Sequence, residues 1–103
     1  LLASSVGGLM DVSAAPERLD AIRQTIADNA EGAIEAHDVR AREAGKAVFI
    51  DFHLVVPAAM SVVDAHDICD RIEAALKNTD PGAIITIHVE PEHKAKHSGI
   101  VVL

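Results

Sequence analysis

Val48-Phe49-Ile50-Asp51-Phe52-His53-Leu54-Val55-Val56 sends Val48, Ile50, Phe52, Leu54 and Val56 to one face of an extended chain, and Phe49, Asp51, His53 and Val55 to the other. This alternation reads as a strand with one apolar face, ended by Pro57. Just upstream, Ala44-Gly45-Lys46 reads as a turn and residues 34–42 as a second strand. Further back, Pro16-Glu17 reads as a helix start. A proline there gives up an N–H the helix does not use, and an acid sits near the positive end of the dipole. Leu19, Ile22 and Ile26 then recur at helical spacing, and residues 29–32 stop the helix. Downstream, Ser61-Val62-Val63-Asp64 reads as a capping-box start with Asp in place of Glu. It opens a helix to about Lys77, with Val62, Ala65, Cys69, Ile72 and Leu76 on its apolar stripe. Pro81-Gly82 turns the chain into a third strand, Ala83 to Val89, closed by Pro91. The polar tail from Glu92 onward is assigned no structure.

The order helix, strand, strand, helix, strand points to an α+β layer in which two helices cover one face of a three-stranded sheet. The chain has 103 residues, which suits one domain with a single core. Half of it is apolar and only Phe49 and Phe52 are aromatic, so that core is aliphatic. Leu19, Ile22, Ile26, Ile50, Phe52, Leu54, Ile72 and Leu76 are its expected members. The second sheet face is left open, and homodimerisation is one way to cover it.

The net charge is −7 with histidines neutral. That argues against a nucleic-acid partner, because such binding rests on Lys and Arg neutralising phosphates. An acidic field favours cations instead. A single cysteine, Cys69, excludes an intrachain disulfide framework and any cysteine-rich zinc motif. No basic region precedes the apolar start, so no signal peptide is expected. Residues 1–10 are apolar but short against the roughly 20 residues a membrane helix needs. Composition alone reads them as a loosely ordered arm rather than the cut end of a membrane helix.

Six histidines in an acidic chain without tyrosine or tryptophan stand out. Four fall inside the folded pattern, each with a carboxylate nearby. His37 precedes Asp38. His53 follows Asp51 by two on one strand face. His66 precedes Asp67 and lies one helical turn before Asp70, and His88 and Glu90 share a strand face. Neutral imidazole plus carboxylate is what zinc and related ions take. Any one of these histidines alone reads as a surface or packing residue. Four from four separate elements that a compact sheet would gather carry the metal reading further, and on the residues alone both readings stand. Cys69 belongs to the apolar stripe and reads as core. His93 and His97 sit among lysines in the tail and are expected to be disordered. Arg40 and Arg42 read as solvent-facing or paired with acids. Enzyme readings lack support: there is no phosphate loop, no nucleophile elbow, and the serines lie outside the histidine-bearing strands.

Several segments together resemble a known family. Residues 5–13, Ser-Val-Gly-Gly-Leu-Met-Asp-Val-Ser, resemble the end of the sixth membrane helix of cation diffusion facilitators and its exit into the cytoplasm. Residues 31–42, Phe49 to Leu54, Ser61 to Asp70 and Ile87 to Pro91 resemble the first strand, second strand, second helix and third strand of that family's C-terminal domain. The resemblance implies a ferredoxin-like, metallochaperone-like αββαβ sandwich and a cytoplasmic homodimer. It also turns residues 1–12 into the stump of a membrane helix, residues 13–91 into a metal-binding dimerisation domain and residues 92–103 into a tail. In zinc-exporting members a binuclear zinc site lies at the dimer interface. Its positions match His37, His53, His66 and His88, with Glu90 where some members have Asp.

What the resemblance implies for function is a non-enzymatic regulatory domain of a divalent-cation efflux transporter. It would be the cytoplasmic part of an integral membrane protein, in the cytoplasmic membrane of a bacterium. Its partners would be a second copy, divalent ions and the membrane domain of the same chain. Zinc is the leading ion, and Cd2+, Mn2+, Fe2+ and Co2+ also suit His/carboxylate sites. The alternatives are a structural dimerisation module with no physiological metal site, and a freestanding small-molecule-binding domain.

Overall fold

The computed structural model describes residues 12–101. Helix α1 spans Pro16–Asn29, with Pro16 in its first turn and Ile22 and Ile26 buried one turn apart. Its C-terminal end is satisfied from outside. Arg71 Nε donates to the Asn29 carbonyl at 2.8 Å, and the same guanidinium donates to the carbonyl of Glu31. Those carbonyls have no partner within the helix, and a cation there also meets the negative end of its dipole. Helix α2 spans Val62–Thr79. The Ser61 hydroxyl accepts from the Asp64 N–H at 3.0 Å, the cap expected from the sequence. Ala65, Ile68, Cys69, Ile72 and Leu76 are its buried residues. Val62, expected on that stripe, is 83% exposed. It sits at the first helical position and lines an open cleft with Ala65, Cys69, Ile87 and Val89.

Strand β1 is Val12–Ser13, β2 Glu35–Ala44, β3 Ala47–Val56, β4 Ala83–Pro91 and β5 Ile100–Val101. The sheet order is β1-β2-β3-β4, with β5 also pairing β2. β2 and β3 form an antiparallel hairpin turned at Gly45, whose φ of 60° favours a residue without Cβ. β3 and β4 run parallel, so the chain must cross over between them, and α2 is that crossover. Ile50, Phe52 and Leu54 are buried against Ile22, Ile26, Ile72 and Leu76, while Leu19 packs at the edge of this core.

The α+β architecture expected from the sequence is present, and two features add to it. The expected three-stranded sheet gains two short strands, β1 and β5, each pairing with one end of β2. The tail, assigned no structure, forms a 3-10 turn at Glu92–Lys94 and then β5. Polarity concealed this because residues 92–99 are held largely by polar contacts, the Lys96 and His97 N–H groups on Glu35 among them, and only Ile100 packs against the core. The stump or arm expected at residues 1–12 lies, apart from Val12, outside the described residues.

Candidate metal centre

The face of the sheet away from the helices carries His37, His53 and His88 in one row across β2, β3 and β4. His37 is in register with His53, and His53 with His88. The ring centroids are 5.3 Å apart for His37–His53 and 5.0 Å for His53–His88. Pairing register therefore assembles three imidazoles from three strands without any loop.

Glu90, two residues beyond His88, closes the row. Its Oε1 lies 2.5 Å from His53 Nδ1 and 3.3 Å from His37 Nε2. The contact with His53 holds the Glu90 carboxyl below the usual carboxylate range, against the opposing effect of burial. His37 is 3% exposed, and its other ring nitrogen, Nδ1, is 2.7 Å from Glu35 Oε2. Glu35 is itself 1% exposed. Burial alone would raise its pKa, but contacts with the Lys96 N–H, His37 and the His97 N–H prevail and lower it.

Asp38 enters through an irregularity. The register slips between His37 and Arg40, and Asp38 has φ 53°. Such a bulge re-aims side chains. Here His37, Asp38 and His53 offer ligand atoms that all lie within 4.8 Å of one another. Lys96 Nζ meets Asp38 Oδ2 at 2.9 Å; this contact lowers the Asp38 pKa and raises that of Lys96.

The donor set suits a borderline divalent ion. Two ligand atoms each about 2.0–2.1 Å from a tetrahedral zinc stand roughly 3.3 Å from one another. His37 Nε2 and Glu90 Oε1 already have that separation.

His66 is placed elsewhere. It lies on the exposed side of α2, 3.3 Å from Asp70, beside a 430 Å³ cleft shared with Cys69, Ile87 and Val89. Ile87 and Val89 alternate with His88 and Glu90, so within one chain His66 is across the sheet from the histidine row. Asp51, on the same strand face as His53, pairs with Arg40 at 3.0 Å. Arg42 lies over the Phe49 ring. Cys69 is buried, as expected, and burial pushes its thiol pKa up. His93 and His97 are exposed within the folded tail, and neither joins the row. Sequence reasoning missed Glu35. The available signal was its spacing of two before His37 on the same strand face.

Two helices packed on one face of a mixed sheet, with an imidazole–carboxylate cluster on the other, place the chain in the class of ferredoxin-like α+β domains. More particularly, residues 14–92 match the family model described as the cation efflux protein cytoplasmic domain, and the chain belongs to that family. It is 35% identical over 91 residues to a protein of Synechocystis described as an uncharacterized transporter, covering 88% of this chain and 29% of that one. It is 38% identical over 87 residues to the cation-efflux pump FieF of Pectobacterium atrosepticum, covering 84% of this chain and 29% of the pump. The chain thus spans under a third of these relatives. Among solved structures, the zinc form of CzrB, described as a candidate zinc transporter, is 43% identical with a TM-score of 0.77. That likeness covers 84% of this chain and 99% of the solved CzrB chain. The metal-bound C-terminal domain of the CzcD transporter from Thermotoga maritima is 27% identical with a TM-score of 0.67. It matches over 81% of this chain and the whole of that domain. Among the described residues, no helix is long and apolar enough to cross a membrane.

Proposed function

We propose that this domain binds divalent transition-metal ions, zinc foremost, through His37, His53, His88 and Glu90, and that binding stabilises a homodimer. The observation that carries the reading is the convergence of His37 Nε2 and Glu90 Oε1 at 3.3 Å within a row of three register-matched imidazoles. Asp38 stands ready as a further oxygen ligand once Lys96 moves aside. The domain acts as a binding module, not as an enzyme. In the longer chain it would couple the ion to a membrane portion responsible for efflux.

His66 enters through the second copy. β4 is the edge strand of the sheet opposite β1 and β5. Val62, Val63, Ile84 and Val89 are large apolar residues exposed on β4 or at the start of α2. A two-fold interface along this edge would cover them. It would also bring His66 of one copy toward His88 and Glu90 of the other. An ion bound by both copies favours the closed arrangement only by its differential affinity for it.

Calorimetric titration of the domain with zinc tests the reading. Binding that is lost in His53→Ala and His88→Ala supports it. Binding unchanged in both variants, or no binding at neutral pH, rejects it.

A further inference from the structure

We infer that Glu35 is a positioning residue for the metal ligand His37, fixing its tautomer, and that the backbone of the C-terminal segment is the device that holds Glu35 in place. This rests on the proposed metal centre, and it goes beyond the ligand set to explain how one ligand is prepared.

Glu35 sits on β2, fully enclosed, and three groups reach its carboxylate. The Lys96 N–H donates to Oε2 at 2.7 Å and the His97 N–H to Oε1 at 2.9 Å. Backbone N–H groups can only donate, so both carboxylate oxygens serve as acceptors. His37 Nδ1 is the third partner, 2.7 Å from Oε2. An ionised carboxylate accepts and never donates, so Nδ1 must carry the hydrogen. In the neutral ring this leaves Nε2 as a bare lone pair, and Nε2 is the nitrogen 3.3 Å from Glu90. A bare imidazole nitrogen beside a carboxylate oxygen is ready for a cation. A carboxylate behind a ligating histidine fixes ring orientation and raises its basicity.

Glu35 in turn depends on residues far away in sequence. Lys96 and His97 reach it because the chain folds back after β4. His97 adopts a positive φ of 56°, Gly99 a φ of 74°, and β5 pairs Ile100 with Ala36 and Val101 with Glu35. A Cβ on Gly99 would stand 2.9 Å from the Ala36 carbonyl oxygen, so the segment lies directly on the strand that carries the site. The tail therefore supplies no ligand, yet it completes the environment of one.

The test reads the tautomer first and affinity second. Nitrogen-15 NMR of the metal-free wild-type domain at neutral pH, with His37 assigned by comparison with His37→Ala, should show the proton on Nδ1. Glu35→Gln replaces an acceptor-only group by one that must present an amide donor to one of three donors. It should depopulate the Nδ1–H tautomer and lower zinc affinity about 10- to 100-fold, as loss of such a partner does elsewhere. Glu17→Gln, the same charge change on exposed α1, should alter neither reading. A proton on His37 Nε2 in the wild type overturns the inference even if Glu35→Gln fails to fold. So does Glu35→Gln binding zinc as tightly as wild type. If the wild type binds no zinc while His37 is Nδ1-protonated, the metal reading falls and the positioning of the ring by Glu35 stands.

Discussion

His53 and His88 stack with their ring planes 20° apart and their centroids separated by 5.0 Å, across a parallel strand pair in which the two residues are in direct register. The stack exists because both strands start together: Val48 pairs with Ala83, and five steps on His53 meets His88. A one-residue slip would send every side chain of β4 to the wrong face. Inserting one alanine between Ile84 and Ile85 should therefore abolish zinc binding and destabilise the fold together, as followed by calorimetry and circular dichroism.

The core makes a separable prediction. Phe52 is 1% exposed and lies under both helices, so Phe52→Ala should lower stability by about 3–5 kcal/mol. Val62 is 83% exposed, so Val62→Ala should change the stability of the monomer by about 0.5 kcal/mol or less. Urea denaturation at low protein concentration measures both.

Acid should weaken the metal-free domain in a defined window. The Glu35 carboxyl is lowered from its ordinary value of 4.5 by the N–H groups and His37, despite burial. A depressed carboxyl contributes stability that is fully present above its unfolded pKa and is lost as pH falls through the folded one. The Glu35 contribution should therefore be present above its ordinary value of 4.5 and be lost as pH falls below it. Glu35→Gln should show a shallower decline over the same acid range in chemical denaturation.

Gly99 should prove sensitive although it bears no side chain. Its positive φ costs a residue with Cβ about 1–2 kcal/mol, and the Ala36 carbonyl oxygen leaves no room for that atom. Gly99→Ala should displace β5, lower the melting temperature and weaken zinc binding with every ligand intact. Gly45→Ala shares the positive φ but meets nothing within 4 Å, and should leave zinc affinity unchanged.

The proposed interface predicts its own signature. Val63 is 69% exposed at the start of α2, and Val89 is 41% exposed on β4. Val63→Asp combined with Val89→Asp should shift the domain to monomer in sedimentation, while the backbone fold persists by circular dichroism.

Much of this architecture was legible in the chain itself. The alternation from Val48 to Val56, the Ser61 cap and the 3.6-residue spacing of Ile22 and Ile26 are local signals, and each element appears where they place it. The row of histidines needed one further step, the register between strands, which follows once the hairpin and the crossover are drawn. The Asp38 bulge did not follow, because one extra residue in a strand leaves no compositional mark. Nor did the tail, which is held in part by the Lys96 and His97 N–H groups, and backbone donors leave no mark in a sequence. Glu35 stayed hidden because a buried carboxylate is unfavourable until its donors are known, and two of these come from residues 61 and 62 positions away. His66 was grouped with the others by chemistry, whereas one chain sets it on the other side of the sheet.

The most direct measurement is the thermal melting of the domain at neutral pH with and without zinc, in the wild type and in His88→Ala. A ligand that binds only the folded state at a hundredfold excess over Kd adds about 2.7 kcal/mol. Zinc should shift the wild type clearly upward, with most of the shift lost in His88→Ala and almost all of it kept in a His93→Ala, His97→Ala double variant. No shift in the wild type, or a shift carried wholly by the two tail histidines, would contradict zinc binding at the histidine row.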